Sequence, residues 1–219
     1  GKTYLMAAFI YLDLYFALNE PDNPRFAHNF MIFAPSGLKS SIIPSPKHIQ
    51  EFDPTWIIQN PAADNLRKLT KFEILDEQKS ARKSNLLKNP NAQKINNHQP
   101  LEDLIGLVAI TNAEKVILDR AGEDIDDYVF SKEDLERIIL ANELRSIIGK
   151  IPNLAVYIDE VHHAADSEIK LRQVVTEWTK EHTFNGVLGF SGTPYLEKPE
   201  NIRLAEQFTI RNTELSNIV

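Results

Sequence analysis

The sequence predicts an α/β domain built around a mainly parallel sheet. The first observation behind this is a set of short, continuously apolar runs: Phe30-Met-Ile-Phe-Ala34, Leu107-Val-Ala-Ile-Thr111, Leu154-Ala-Val-Tyr-Ile158 and Gly186-Val-Leu-Gly-Phe190. Each stops at a polar or turn residue, as strands buried on both faces do. The second is that helical stretches separate these runs, the signature of βαβ units. The third is composition. Of 219 residues, 42% are hydrophobic and 25% charged, ordinary for one sizeable globular domain and wrong for collagen-like, coiled-coil or wholly disordered chains.

The elements follow in order. Thr3 to Leu18 is rich in Leu, Ala, Met and Phe, too long for one strand and apolar nearly all round, so it predicts a buried helix. The turn residues Asn19 to Pro24 end it. Pro35 stops the strand Phe30 to Ala34, and Ser36 could cap a helix running to Ile43. Thr55 to Gln59, between Pro54 and Pro61, predicts a further strand. Residues 77–100, dense in Lys, Asn and Gln, predict a polar insertion or irregular loop within a single domain spanning 1–219. After the strand Leu107 to Thr111, Ala121 to Phe130 is an acidic loop. Ser131 caps a helix over Lys132 to Ile148, with Leu135, Ile138, Ile139, Leu144 and Ile148 as its buried face. Gly149 and Pro152 stop that helix. The strand Leu154 to Ile158 runs into Asp159 and Glu160. A helix over Ser167 to Lys180 buries Leu171, Val174, Val175 and Trp178, and the last strand ends at Ser191-Gly-Thr-Pro194.

The chain contains no cysteine, which excludes a disulfide scaffold, Cys-ligated zinc and a cysteine nucleophile, and fits a cytoplasmic location. No apolar run is long enough to span a membrane, so no membrane partner is expected. The first residue is Gly1, and the chain is expected to be a fragment or a processing product. A net charge of −7 argues against a uniformly basic nucleic-acid binder. The charge is uneven. Asn65 to His98 holds eight Lys or Arg against three acids, and Leu101 to Glu136 holds three against eleven. Solvated faces explain this pattern most simply; contact between Lys79, Arg82, Lys83 or Lys88 and a polyanion is the sharper alternative.

In a parallel sheet, ligands bind beyond the carboxyl ends of the strands, so the polar clusters there carry the chemistry. Gly1-Lys2-Thr3 opens the first helix. At such a position free amides and the helix dipole face an anion, a lysine reaches phosphates and a threonine hydroxyl can hold Mg²⁺, although the tripeptide by itself is a weak signal. Asp159-Glu160-Val161-His162-His163 follows a buried strand, where two carboxylates need a cation or hydrogen bonds. Neighbouring residues on a strand point to opposite faces, so the two acids should have different jobs: one toward a metal, one toward a water. A pair of acids capping the next helix is the plain alternative. Zinc held by Asp159, His162, His163 and Asp166 has little support, because no HExxH spacing exists. Gly189-Phe-Ser-Gly-Thr-Pro194 permits close backbone approach at a strand end, or is an ordinary proline turn. It is no nucleophile elbow, since Thr193 replaces the last glycine.

Taken in order, Gly-Lys-Thr, Ala34-Pro-Ser-Gly-Leu-Lys39, Ala109-Ile-Thr-Asn-Ala113, Asp-Glu-x-His (a DEAH-box form) and Ser-Gly-Thr-Pro resemble the first motor domain of superfamily 2 helicases and translocases. That resemblance implies a RecA-like P-loop NTPase fold with helices on both faces of the sheet. The forms Asp-Glu-Val-His-His and Phe-Ser-Gly-Thr-Pro-Tyr look closest to the helicase-like Res subunit of type III restriction enzymes, with type I motor subunits near second. The likeness runs from Gly1 to about Pro194.

The resemblance implies ATP and Mg²⁺ as cofactors and assigns roles to residues. Gly1, Lys2 and Thr3 would end the phosphate loop, with Lys2 on the β and γ phosphates and Thr3 on Mg²⁺. Asp159 would also bind Mg²⁺, and Glu160 would be the base for the hydrolytic water. His162 would couple the nucleotide site to Ser191, Gly192 and Thr193. Pro35, Ser36 and Lys39 would face the nucleic-acid backbone, with Thr111 and Asn112 near the same track; a plain helix cap is an equal alternative for Ser36. The implied partners are double-stranded DNA, a modification (methyltransferase) subunit, and a second motor domain and nuclease domain of the same parent chain. The first part of the phosphate loop with its strand, the adenine-reading segment and the arginine of a second motor domain are not in this sequence. Since phosphoryl transfer relies on such a cation, the chain alone is expected to be a poor ATPase. The alternatives are a superfamily 2 helicase without a restriction role and a degenerate P-loop interaction module.

Overall fold

A computed structural model describes residues 1–34, 44–77, 88–117, 131–159, 165–181 and 184–190. The described chain runs α1 (Lys2–Asn19), β1 (Asn29–Ala34), α2 (Pro44–Gln50), α3 (Ala62–Leu69), β2 (Lys71–Leu75), α4 (Pro90–Asn96), β3 (Leu107–Asn112), α5 (Lys132–Gly149), β4 (Leu154–Asp159), α6 (Ala165–Trp178) and β5 (Phe184–Phe190). The five strands form one sheet in the order β2-β3-β1-β4-β5, and every pair is parallel. This is the expected α/β class, consistent with a RecA-like domain. Each of the four apolar runs is a strand, and each of the three long helices is present with its ends within two residues of those expected.

Strand alternation divides the core into two layers. Phe30 and Ile32 of β1 point to one face, with Val108, Ile110, Ala155 and Tyr157, under α1, α2 and α3. Met31 and Phe33 point to the other, with Ala109 and Val156, under α4, α5 and α6. β1 lies at the sheet centre and is buried along its whole length. Because both faces are covered, each fully buried side chain such as Ile32 or Phe33 contributes about 1.5–3 kcal/mol of transfer free energy.

The strands are aligned at their amino ends by one buried amide. Asn29 has no solvent exposure. Its Nδ2 donates to the carbonyls of Leu104 at 2.7 Å and Pro152 at 2.8 Å, and its Oδ1 accepts from the Leu107 amide at 3.0 Å. The start of β1 is thereby tied to the segments entering β3 and β4. Beside it the amides of His28 and Asn29 donate to the Asn153 carbonyl, and Gly106 donates to the His28 carbonyl. Gly106 sits at φ +89°, and a Cβ there would lie 2.7 Å from the Leu69 carbonyl oxygen, so only glycine fits this crossing.

Several expectations are corrected. Thr55 to Gln59 is not a strand: Asp53 accepts hydrogen bonds from the Thr55 amide and hydroxyl and opens a 3₁₀ turn over Pro54–Trp56. Residues 77–100 are not wholly irregular. Asn89 caps α4 through the Asn91 and Ala92 amides, and Ala92 and Ile95 are buried against the sheet. Residues 78–87, with Lys79, Arg82 and Lys83, lie outside the described residues, as do the expected helix Ser36 to Ile43 and the acidic loop Ala121 to Phe130. Nor is α1 buried all round. Met6, Ala7, Ile10, Tyr11, Leu14 and Ala17 face the core, while Leu5, Phe9, Phe16 and Leu18 are exposed. In α5, Ser131 and Asp134 form a reciprocal cap as expected, and Leu144 and Ile148 are buried. Leu135 and Ile139 are 48% and 52% exposed, because the first half of α5 extends past the layer it packs on. All four expected residues of α6 are buried.

Asp13 is the one acid on α1, and it sits partly buried facing the sheet layer. Desolvation raises its carboxyl from 3.8 to about 6, against an opposing hydrogen bond from the Ala27 backbone. Burial first, and then the nearby Asp13 charge, raise the phenol of Tyr157. The Tyr157 hydroxyl has no hydrogen-bond partner among the described residues.

Two outcomes follow for stability. Replacing Asn29 with Ala strands two carbonyls and one amide, each worth about 1–3 kcal/mol when buried and unpaired. The urea midpoint should fall by an amount equivalent to roughly 3 kcal/mol or more, with little change in slope. An effect under 1 kcal/mol would show that water replaces the amide. For Asp13 the folded chain holds its proton more tightly than the unfolded chain. Its contribution to stability is therefore full below about pH 3.8 and is lost as pH rises through about 6. Asp13→Asn should raise Tm by a few degrees at pH 7.5, on the scale of about 2–4 °C per kcal/mol. The gain should vanish near pH 3.5; equal gains at both values would contradict the burial effect.

Candidate functional site

The elements that follow the strands divide between the two faces of the sheet. β1 leads to α2 on the α1 face, whereas its neighbours β3 and β4 lead to α5 and α6 on the opposite face. In open α/β sheets, the carboxyl ends of strands at such a switch point are where ligands bind. The register brings the ends of three strands together at this edge: Ala34 lies opposite Asn112, and Phe33 opposite Ile158.

The start of α1 reaches the same edge. Its buried stripe packs on Phe30, Ile32 and Tyr157, which orients the helix with its amino end over the end of β4. There the Lys2 Nζ lies 3.4 Å from Asp159 Oδ1. Both side chains are largely withdrawn from solvent, at 26% and 14% exposure. Two residues far apart in the sequence, each singled out from its local motif, are therefore in contact.

The electrostatics at this point are unusual for a helix start. Gly1 is the N-cap and offers no side-chain cap, and the first turn holds no acid. The positive end of the helix dipole instead carries a lysine, an arrangement that costs about 0.3–1 kcal/mol by itself. Asp159 at the end of β4 offsets it. The result is a concentration of anion-seeking groups, the helix amides and the Lys2 ammonium, next to one hard carboxylate.

Thr3 follows on the first turn and is half-buried. Thr111 is fully buried, and its hydroxyl donates to the Leu75 carbonyl at 2.8 Å, so it joins β3 to β2 rather than facing a ligand. Asn112 ends β3, and its buried Oδ1 has no hydrogen-bond partner among the described residues. Pro35, Ser36, Lys39, Glu160, His162, Ser191, Gly192 and Thr193 lie outside the described residues. Among the described residues no group of three or more His, Cys, Asp or Glu side chains could hold a metal. No described helix is long and apolar enough to cross a membrane.

One neighbour of the site was not expected from sequence. Tyr4, next to Thr3, joins a surface cluster with His48 and Trp56 at ring-centre distances of 6.0 and 6.2 Å. Trp56, in the segment expected to be a strand, is 68% exposed. The usable signal was Asp53-Pro54-Thr55, a side-chain cap with proline at the first turn position.

The contact between Lys2 and Asp159 should be measurable as coupling. In a double-mutant cycle with Lys2→Met and Asp159→Asn, the interaction term should be about 1 kcal/mol by urea unfolding. Additivity within about 0.3 kcal/mol would mean that the two charges do not act on one another.

Comparison with protein-family models, with curated proteins and with solved structures finds no match to this chain.

Proposed function

We propose that this chain is the ATP-binding first motor domain of a superfamily 2 DNA translocase or helicase. The motif forms point to the Res-type subunit of a restriction endonuclease, with double-stranded DNA as the track. The single observation that carries the reading is the ion pair of Lys2 and Asp159 at the carboxyl edge of a parallel sheet. Those are the two residues that a phosphate loop and an Asp-Glu box would contribute to one nucleotide. The donor set also fits Mg²⁺: one carboxylate and one hydroxyl, hard oxygens with no protein cage, suit a cation that keeps its waters and is carried on phosphates.

On this reading each residue has a task. Bound Mg²⁺–ATP would supply the transferable phosphoryl group and the cation that neutralises it. Lys2 and the first amides of α1 hold the phosphate charge, and Thr3 and Asp159 orient the cation. Glu160 takes the proton of the attacking water. Among the described residues no strand pairs with the outer edge of β5, which also supports the reading. α1 rests beside β5, with Phe9 and Phe190 rings 6.3 Å apart, on the face where the chain passes from β1 toward β2. A right-handed connection into β1 over that face starts from the β5 side. A strand leading into the phosphate loop would lie along that edge, over the exposed Leu5 and Phe9.

Substitution of the two acids tests the assignment in the protein as the cell makes it. Asp159→Ala should weaken Mg²⁺-dependent ATP binding as well as turnover. Glu160→Gln should bind ATP within a few-fold of the native protein while hydrolysis falls by roughly 10²-fold or more, the scale of losing a positioned base. Nucleotide affinity and steady-state hydrolysis are measured on one preparation. Near-native hydrolysis by Glu160→Gln would leave Glu160 a helix-capping acid and remove the motor assignment.

A further inference from the structure

We infer that Tyr4, His48 and Trp56 form a stacking surface for the unpaired bases of a single DNA strand. The choice of ligand rests on the nucleic-acid reading above, while the surface itself is read from its geometry.

The three rings come from three separate elements, and Tyr4 is the middle one. Its ring centre lies 6.0 Å from that of His48 and 6.2 Å from that of Trp56, with the planes inclined by 22° and 34°. Trp56 is 68% exposed, Tyr4 is 40% exposed, and His48 is exposed as well. The one other tryptophan of the chain, Trp178, is buried. The rings are held from beneath. Phe52 is buried, and its ring centre lies 6.2 Å from that of Tyr4, 5.5 Å from that of Trp56 and 5.8 Å from that of Tyr11. Asp53 caps the turn that carries Trp56, and Arg67 donates to Asp53 at 2.9 Å. A ring that is exposed yet already fixed loses little side-chain freedom when a flat partner lands on it.

Position, charge and size select the partner. Tyr4 follows Lys2 and Thr3 on the first turn of α1, and His48 lies on α2, the helix to which β1 leads. Pro35, Ser36 and Lys39, which the resemblance assigns to the nucleic-acid backbone, directly precede α2 in sequence. The chain as a whole is acidic, with 24 Lys and Arg against 31 acids, but Pro44 to Lys71 holds four against three. A polyanion therefore meets no acidic excess in the segment that carries His48 and Trp56. Three ring faces are too few for a stable protein interface, which takes about 800 Å² from each partner. They match the size of one or two bases, and stacking on aromatic rings accepts any base because each has a π face. A duplex keeps its base faces covered by their neighbours, so such a surface discriminates in favour of a single strand.

The experiment is fluorescence anisotropy on the protein as the cell makes it, with a labelled oligothymidylate and a labelled duplex as probes, over a range of salt. Trp56→Ala and Tyr4→Ala should each weaken single-strand binding by about tenfold, the order expected for one lost stack. The slope of log affinity against log salt should not change, because no phosphate contact is removed. Trp56→Phe, which keeps a ring face, should retain most of the affinity. Duplex binding and ATP binding by Trp56→Ala should stay close to native. Unchanged single-strand affinity in both alanine variants, or an equal loss for duplex and single strand, would overturn the stacking surface and leave the nucleic-acid reading standing. A loss of ATP affinity instead would make the rings the seat of the nucleotide's base. Self-association of the native protein that Trp56→Ala abolishes would make them a contact between copies, and either result overturns the inference. No binding of either DNA would overturn both the surface and the nucleic-acid reading.

Discussion

The buried amide of Asn29 is the constraint on which the arrangement of this domain depends. A parallel sheet has no hairpins to set its register, so each strand must be aligned by something other than its neighbour in sequence. Asn29 supplies the alignment by binding the chain just before β3 and just before β4 with one side chain. With the amino ends in step, the carboxyl ends of β3, β1 and β4 finish together. A slip of one residue would turn Phe30 and Ile32 to the layer that holds Met31 and Phe33, and would lower Asp159 relative to α1.

α1 converts that alignment into a site. One stripe of the helix is packed on the sheet, and the apolar contacts of Met6, Ile10 and Leu14 leave it little freedom to slide. Its first turn is therefore presented at a fixed height over β4, with a lysine where the dipole disfavours one. Asp159 makes that position tolerable. The electrostatic strain at the helix start and the carboxylate at the strand end are two halves of one arrangement, and neither is explained alone.

The basic stretch shows how local charge misleads. Arg67 is spent on Asp53 at 2.9 Å, and Lys94 donates to the Ile74 carbonyl at 2.6 Å and pairs with Glu77. His98 Nε2 lies 2.7 Å from Glu73 Oε1. Arg67 ties α3 to the turn that Asp53 opens, while Lys94 and His98 tie α4 and the residues after it to the edge strand β2. The polyanion surface suggested by the positive excess of residues 65–98 therefore has fewer available charges than the sequence count implies. Lys71 and Glu73, exposed or half-buried on β2, protect that edge strand from pairing with other chains, and they also hid it, since they break the apolar run by which the other four strands were recognised.

The sequence by itself determined what local chemistry controls. Continuous apolar runs identified the four strands that are covered on both faces or that end at the site, and the Ser131 cap identified the start of α5. The motifs named Lys2 and Asp159 separately. It did not determine β2, α3 or α4, whose apolar residues are few and interrupted by polar ones: Phe72, Ile74 and Leu75, then Ala63, Leu66 and Leu69, then Ala92 and Ile95. Nor did it determine that Trp56 is exposed, because apolar neighbours in sequence do not fix which way a capped turn faces. Only the tertiary structure brought Lys2 to Asp159. The reason is physical. Periodicity and caps act over a turn or two of chain, whereas that contact requires β1 and β4 to be in register, α1 to cross their shared face, and the whole sheet to be closed around Asn29 before either charge meets the other.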